Sequence, residues 1–189
     1  MATTIPTQNQ STSTWNIDAS HSTIEFAAKH MMITTVKGRL AHMRGTITTD
    51  EANPERSAAE IEFDAASLDT RVEQRDQHLR SPEFLDVEQF PTISFRSRRI
   101  EGARNAPGAS FRVIGDLIIR GVTREVALDA TYEGAGRDPW GGDRVSFSAT
   151  TKIDRREFGL VWNAALETGG VLVGNDIKIE IEVQAVRAA

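Results

Sequence analysis

The sequence predicts an all-β fold, in the main an eight-stranded antiparallel barrel with one short helix near residues 69–80, and three observations predict it. Apolar and polar side chains alternate with period two from Trp15 almost to the C-terminus. Turn chemistry separates the alternating runs: Asn53-Pro54, Asn105-Ala106-Pro107-Gly108 and Asp138-Pro139-Trp140-Gly141-Gly142. A single stretch has helical spacing, and Pro82 ends it.

The first strand runs over 15–29, where Ile24, Phe26 and Ala28 share a face opposite Glu25 and Lys29. The second covers 38–49. The third covers 57–66, with Ala59, Ile61 and Phe63 opposite Glu60, Glu62 and Asp64. The helix follows at 69–80, because Thr70-Arg71-Val72-Glu73 matches a capping box and Val72, Asp76 and Leu79 recur at helical spacing. Strands at 92–100, 110–119, 125–134 and 144–154 come next. The last strand covers 172–186, where Ile177, Ile179, Ile181 and Val183 oppose Lys178, Glu180 and Glu182. Each strand thus has one wet face and one dry face.

The whole chain narrows the function. At 189 residues it accommodates one domain, read as 15–189, after a polar tail at 1–14 that reads as disordered. With 27 acidic against 22 basic residues and a net charge of -5, it is not composed to bind nucleic acid or an anionic membrane. It has no cysteine, so disulfides and thiolate chemistry are excluded. The N-terminal residues lack the apolar core of a secretion signal and no segment is apolar enough to span a bilayer, which predicts a cytoplasmic protein without stable membrane insertion. A two-fold homodimer is the default association.

Eight dry faces must be buried, and closing the sheet on itself buries them while removing exposed edges. Eight strands leave room for one small ligand. Several inward positions are small, namely Ala28, Ala59, Ala65, Val113, Gly115, Ala130 and Ala149. The larger liners are apolar: Phe26, Phe63, Phe95, Leu117, Ile119 and Phe147. Two interiors remain open at this point, a close-packed centre and an apolar tunnel suited to a long, thin lipid.

A set of ordered motifs carries a family resemblance. Trp15-Asn16-Ile17-Asp18 is followed by His21-Ser22-Thr23-Ile24-Glu25-Phe26, His30 and Val36-Lys37-Gly38. Ser67-Leu68-Asp69-Thr70, Arg75-Asp76-Gln77-His78-Leu79, Phe84-Leu85-Asp86 and Phe90-Pro91 leading to Phe95 continue it. Gly115-Asp116-Leu117-Ile118-Ile119-Arg120-Gly121-Val122-Thr123 and Phe158-Gly159-Leu160 complete it. In this order they resemble the YceI-like polyisoprenoid-binding proteins of bacteria, from Trp15 to about Val183. The resemblance implies a lipocalin-like barrel around an isoprenoid chain held by apolar contacts, with no established catalytic residues to carry over; together with the apolar interior it makes the expected ligand a polyisoprenoid, isoprenoid quinone or fatty-acid-like lipid, with no cofactor besides it. Many such relatives look periplasmic, a departure from the compartment expected above.

The expected ligand-binding residues are Phe26, Ala28, Phe63, Phe84, Phe95, Val113, Leu117, Ile119, Phe147, Phe158 and Trp162. Phe158-Gly159-Leu160-Val161-Trp162 onward to Gly169-Gly170 is apolar for a connection and reads either as a lid or as a loop packed on the rim. Arg75, Asp76 and His78 form a polar cluster on the helix. Its plain reading ties the helix over one barrel end; the alternative is an enzyme acting on a bound isoprenoid, with His78 as base oriented by Asp76. The four histidines, His21, His30, His42 and His78, show no HxH or HExxH spacing, so no metal site is expected.

Overall fold

Eleven strands make one antiparallel sheet, and because its first three staves are each bent into two strands, eleven segments build an eight-stave barrel. The structure, a computed structural model, describes residues 12–167 and 169–188. The first stave consists of β1 (Thr12–Ile17) and β2 (Thr23–His30). It breaks at Asp18, whose side chain accepts the Ser20 amide hydrogen and caps a single 3-10 turn, Ala19–His21. The second stave is β3 (Thr34–Leu40) and β4 (Met43–Asp50). The third is β5 (Ala58–Asp64) and the two-residue β6 (Leu68–Asp69), broken where Asp64 caps the turn Ala65–Ser67. Five unbroken staves complete the wall: β7 (Thr92–Glu101), β8 (Ser110–Ile119), β9 (Val122–Arg137), β10 (Asp143–Asp154) and β11 (Val173–Arg187).

The bends divide the barrel into two halves that close differently. In one half β1 pairs with both β4 and the end of β11, with Trp15 opposite Ile47 on one side and Arg187 on the other, so the hydrogen-bond ladder is continuous. In the other half β2 takes over beside β11, from Ile24 opposite Ile181 to Ala28 opposite Ile177, and β3 and β6 follow it. Among the described residues β6 has no partner strand beyond β3. The gap between β6 and the start of β7 is filled by helix α1 (Glu73–Arg80) and the turns at 81–91. Arg80 fastens that cap, donating to the carbonyls of Ala66 (2.9 Å) and Leu68 (2.6 Å).

Five expectations need correction. The strand expected over 15–29 is two strands, because the Asp18 carboxylate takes the Ser20 amide and the Ser22 hydroxyl donates to the Asp18 carbonyl, and these bonds outcompete the ladder there. The segment 34–37 is strand, not connection; its side chains face mostly outward beside a bent edge, so no dry face announces it. The helix starts at Glu73 rather than 69, since Leu68–Asp69 pairs with β3 and Arg71 is left-handed at φ 63°. Thr70 does not cap it: its hydroxyl donates to Asp76 and its amide does likewise at 2.9 Å. Residues 12–14 belong to β1, while the rest of the expected tail, 1–11, lies outside the described residues.

At the break in the first stave, Arg144 of β10 bridges two carboxylates, Asp18 and Asp138, each at 2.7 Å. Hydrogen bonds from Ser20, Arg144 and His21 hold the Asp18 carboxyl well below its ordinary 3.8, and bonds from Arg144 and the Gly142 amide lower that of Asp138. Depressed folded-state values mean that this stabilisation is complete above pH 4 or so and drains as acid protonates the pair. Arg144→Gln is therefore expected to flatten the acid limb of stability. Denaturant midpoints measured from pH 6 down to pH 2 should fall less steeply in the variant than in the wild type.

Candidate functional site

Two apolar cavities lie end to end inside the barrel. The first, about 580 Å³, occupies the half capped by α1. The second, about 620 Å³, occupies the half closed by β1. Their walls have no residue in common. The interior is therefore hollow, with its free space falling into two chambers.

Strand alternation places the walls. On β2, Phe26 and Ala28 face the capped cavity with Ile24; Phe63 at the end of β5 and Leu117 and Ile119 on β8 face it from other staves. Phe84, carried by the turns after α1, and Trp162, carried by the loop before β11, complete its outer end. Phe95, Val113 and Phe147 face the second cavity instead, together with the small residues Ala59, Ala130 and Ala149. Ten of the eleven expected binding residues thus line a cavity, divided seven to three. The exception is Phe158, which is 0% exposed and anchors the turn Arg155–Phe158 in the core, lining neither cavity. Its apolar setting in the sequence marked it as buried, and nothing local distinguishes a core anchor from a cavity liner.

The capped end carries polar groups around an apolar chamber, among them Lys29, Thr70, Arg75, His78 and Arg155. The expected cluster on α1 divides into two separate arrangements. Asp76, 4% exposed, accepts from the Thr70 amide and hydroxyl, and Arg75 donates to the Thr70 hydroxyl (2.7 Å) and carbonyl (2.9 Å). His78 belongs to another group: its Nε2 lies 2.7 Å from Glu83 Oε2, and its ring meets Trp162 and Phe84 edge-on at 4.7 and 5.0 Å between centroids. No hydrogen bond joins His78 to Asp76 among the described residues, so the base and orienter imagined for an enzyme are not coupled. Nor do three His, Asp or Glu side chains converge as a metal site would require, among the described residues.

Sequence reasoning missed Arg155. It is 3% exposed and lines the capped cavity, yet no carboxylate lies within ion-pair distance among the described residues. Its guanidinium donates instead to the carbonyls of Gly174 (3.0 Å), Leu160 (2.5 Å) and Trp162 (2.9 Å), with a longer contact to Val173 at 3.5 Å. Burial pulls its pKa down from the ordinary value, while carbonyl dipoles offset the charge. These bonds fasten the loop carrying Trp162 to both its own start and β11. Of the two readings open for that loop, the rim-packed one matches this fastening. No spacing rule signals such a residue, because its partners are main-chain atoms.

The exposed apolar side chains are also unevenly placed. Met31, Met32 and Ile33 form the β2–β3 turn, and Val72 and Val161 flank α1 and the Trp162 loop, all at the capped end. Trp140, on the β9–β10 turn, lies at the other.

Comparison with known proteins agrees with this architecture. A UPF0312 protein of Serratia proteamaculans is 36% identical over 168 residues, covering 89% of this chain and 82% of its own. Burkholderia cenocepacia BcnA superposes with a TM-score of 0.76 at 20% identity, over 89% of this chain and 99% of that one. A polyisoprenoid binding domain from Saccharophagus degradans, implicated in plant cell wall breakdown, superposes at 0.70 with 12% identity, over 92% and 98%. The last two likenesses speak for the fold alone. The model of the YceI-like domain matches residues 15–185, the same span that the bent staves, the cap and the two chambers occupy, and the chain belongs to that family.

Proposed function

We infer that the protein binds a long apolar lipid in the barrel, a polyisoprenoid, isoprenoid quinone or fatty-acid-like molecule, and sequesters or carries it without chemical change. The observation that carries this reading is the capped cavity itself, about 580 Å³ and walled mainly by Ile, Leu, Val and Phe side chains. A space of that size with a predominantly apolar wall is costly for water to fill and favourable for hydrocarbon. Each methylene transferred there is worth ~0.8 kcal/mol, so a chain of roughly ten carbons gains several kcal/mol after ordering costs. The structural likeness to the polyisoprenoid binding domain of Saccharophagus degradans supports the ligand class.

Access is at the capped end, where the exposed Met31, Met32, Ile33, Val72 and Val161 give an apolar chain a graded path from water. The polar groups there, Arg75 and Lys29 foremost, suit a head group that stays at the mouth while the tail is buried.

Solvent extraction of gently purified protein followed by mass spectrometry tests this reading, with a bound lipid expected at up to one equivalent. Titration of stripped protein with farnesol should change the emission of Trp162, and Trp162→Phe should remove most of that change. A wild-type protein that neither copurifies with lipid nor takes up any isoprenoid alcohol would overturn the reading.

A further inference from the structure

The partition between the chambers has a specific composition. Along each stave the capped cavity ends and the second begins within two to four residues: Phe63 gives way to Ile61, Ile93 to Phe95, Leu117 to Val113, and Ile179 to Ile181. Between Leu117 and Val113 sits Gly115, buried and without a side chain. Phe95 fills the notch it leaves: a Cβ on Gly115 would sit 2.6 Å from Phe95 Cζ. The register places Phe95 opposite Leu117, so its ring leans diagonally across the level at which both chambers stop. Phe95 is 6% exposed and packs in the main core, so the boundary is a ring seated in a fitted recess, not a loose side chain.

Resting on the lipid-binding reading above, we propose that Phe95 determines the chain length the barrel accepts. A chain that ends within the capped chamber binds with the ring in place. A longer chain must displace it from the Gly115 notch to continue into the second chamber, whose apolar wall of Ile61, Val113, Phe147 and Ile181 then receives the excess. The displacement trades the packing of one aromatic ring for burial of further isoprene units, so the ring sets a threshold in length rather than blocking long chains outright. An aromatic side chain suits this task because it rotates as one rigid plate about two torsions. A Cβ at position 115 would collide with the Arg96 carbonyl as well as with the ring, so the recess exists only because that residue is glycine.

Competition of farnesol and solanesol for the stripped protein, read through Trp162 emission, tests this. Phe95→Ala joins the chambers and is expected to shift the solanesol-to-farnesol affinity ratio toward solanesol by about tenfold. Phe95→Leu, which keeps more of the core, should shift it in the same direction by less. Thermal melts identify which variants remain folded, and the folded ones decide: an unchanged ratio in a folded variant that still binds farnesol overturns the length determinant while leaving the lipid-binding reading intact. Failure of the wild type to bind either alcohol overturns both.

Discussion

Replacing Arg155 by methionine is expected to destabilise the protein by about 3–5 kcal/mol, because several buried carbonyls lose their donor together. Methionine fills a similar volume, so the loss is chiefly one of hydrogen bonds. The carbonyls of Leu160, Trp162 and Gly174 are each within 3.0 Å of the guanidinium and have few alternatives at that depth. For a chain of this length the change corresponds to a drop in Tm on the order of 10 °C. Arg155→Lys should recover little, since one ammonium cannot address carbonyls spread around a planar fork. The loop released by the substitution carries Trp162, so lipid affinity should fall as well, through faster dissociation. Calorimetry of the stripped protein and dissociation kinetics of the loaded protein check the two parts separately. A variant that melts with the wild type would show that these carbonyls find water instead.

Phe158→Ala is expected to cost a comparable amount, about 3–5 kcal/mol, by leaving a void where the most deeply buried ring now sits. The ring closes the single turn Arg155–Phe158, which ends at Gly159 in the left-handed region at φ 77°. Phe158→Leu should cost less, because part of the volume remains. Urea denaturation of both variants gives the comparison directly. Since Phe158 lines neither chamber, the folded fraction of Phe158→Leu should bind farnesol nearly as the wild type does.

The dry faces of the staves were legible in the sequence because period-two alternation is a direct record of which side chains meet water. Five staves, β7 to β11, stand close to their expected bounds for that reason. The bends were hidden. Two of the three are made by an Asp satisfying nearby backbone groups, as Asp18 does for Ser20 and Asp64 for Ala66, and such local bonds leave the hydrophobic pattern intact on both sides; the third, at Ala41 and His42, is served by Ser67 from another stave. The capping signature Thr70-Arg71-Val72-Glu73 misled because Thr70 has a stronger partner in buried Asp76 than in the helix start. The site divides in the same way. Inward apolar residues such as Phe26 and Leu117 follow from face alone, whereas the partition at Phe95 depends on a diagonal contact with Gly115 that crosses two strands and has no signature within either.

The unequal closure of the two halves has a mechanical consequence. Around β1 the wall is stitched by main-chain bonds on both sides, and opening it would rupture a ladder. Beside β6 the wall is joined to its neighbour by the bond from the Ala65 amide to Pro91 and, through the cap, by side chains: Thr70 bonded to Asp76 and Arg75, and Arg80 to Ala66 and Leu68. The flank beside β6 therefore rests chiefly on side-chain bonds and loosens when a few of them are lost, whereas the flank at β1 loosens only with its ladder.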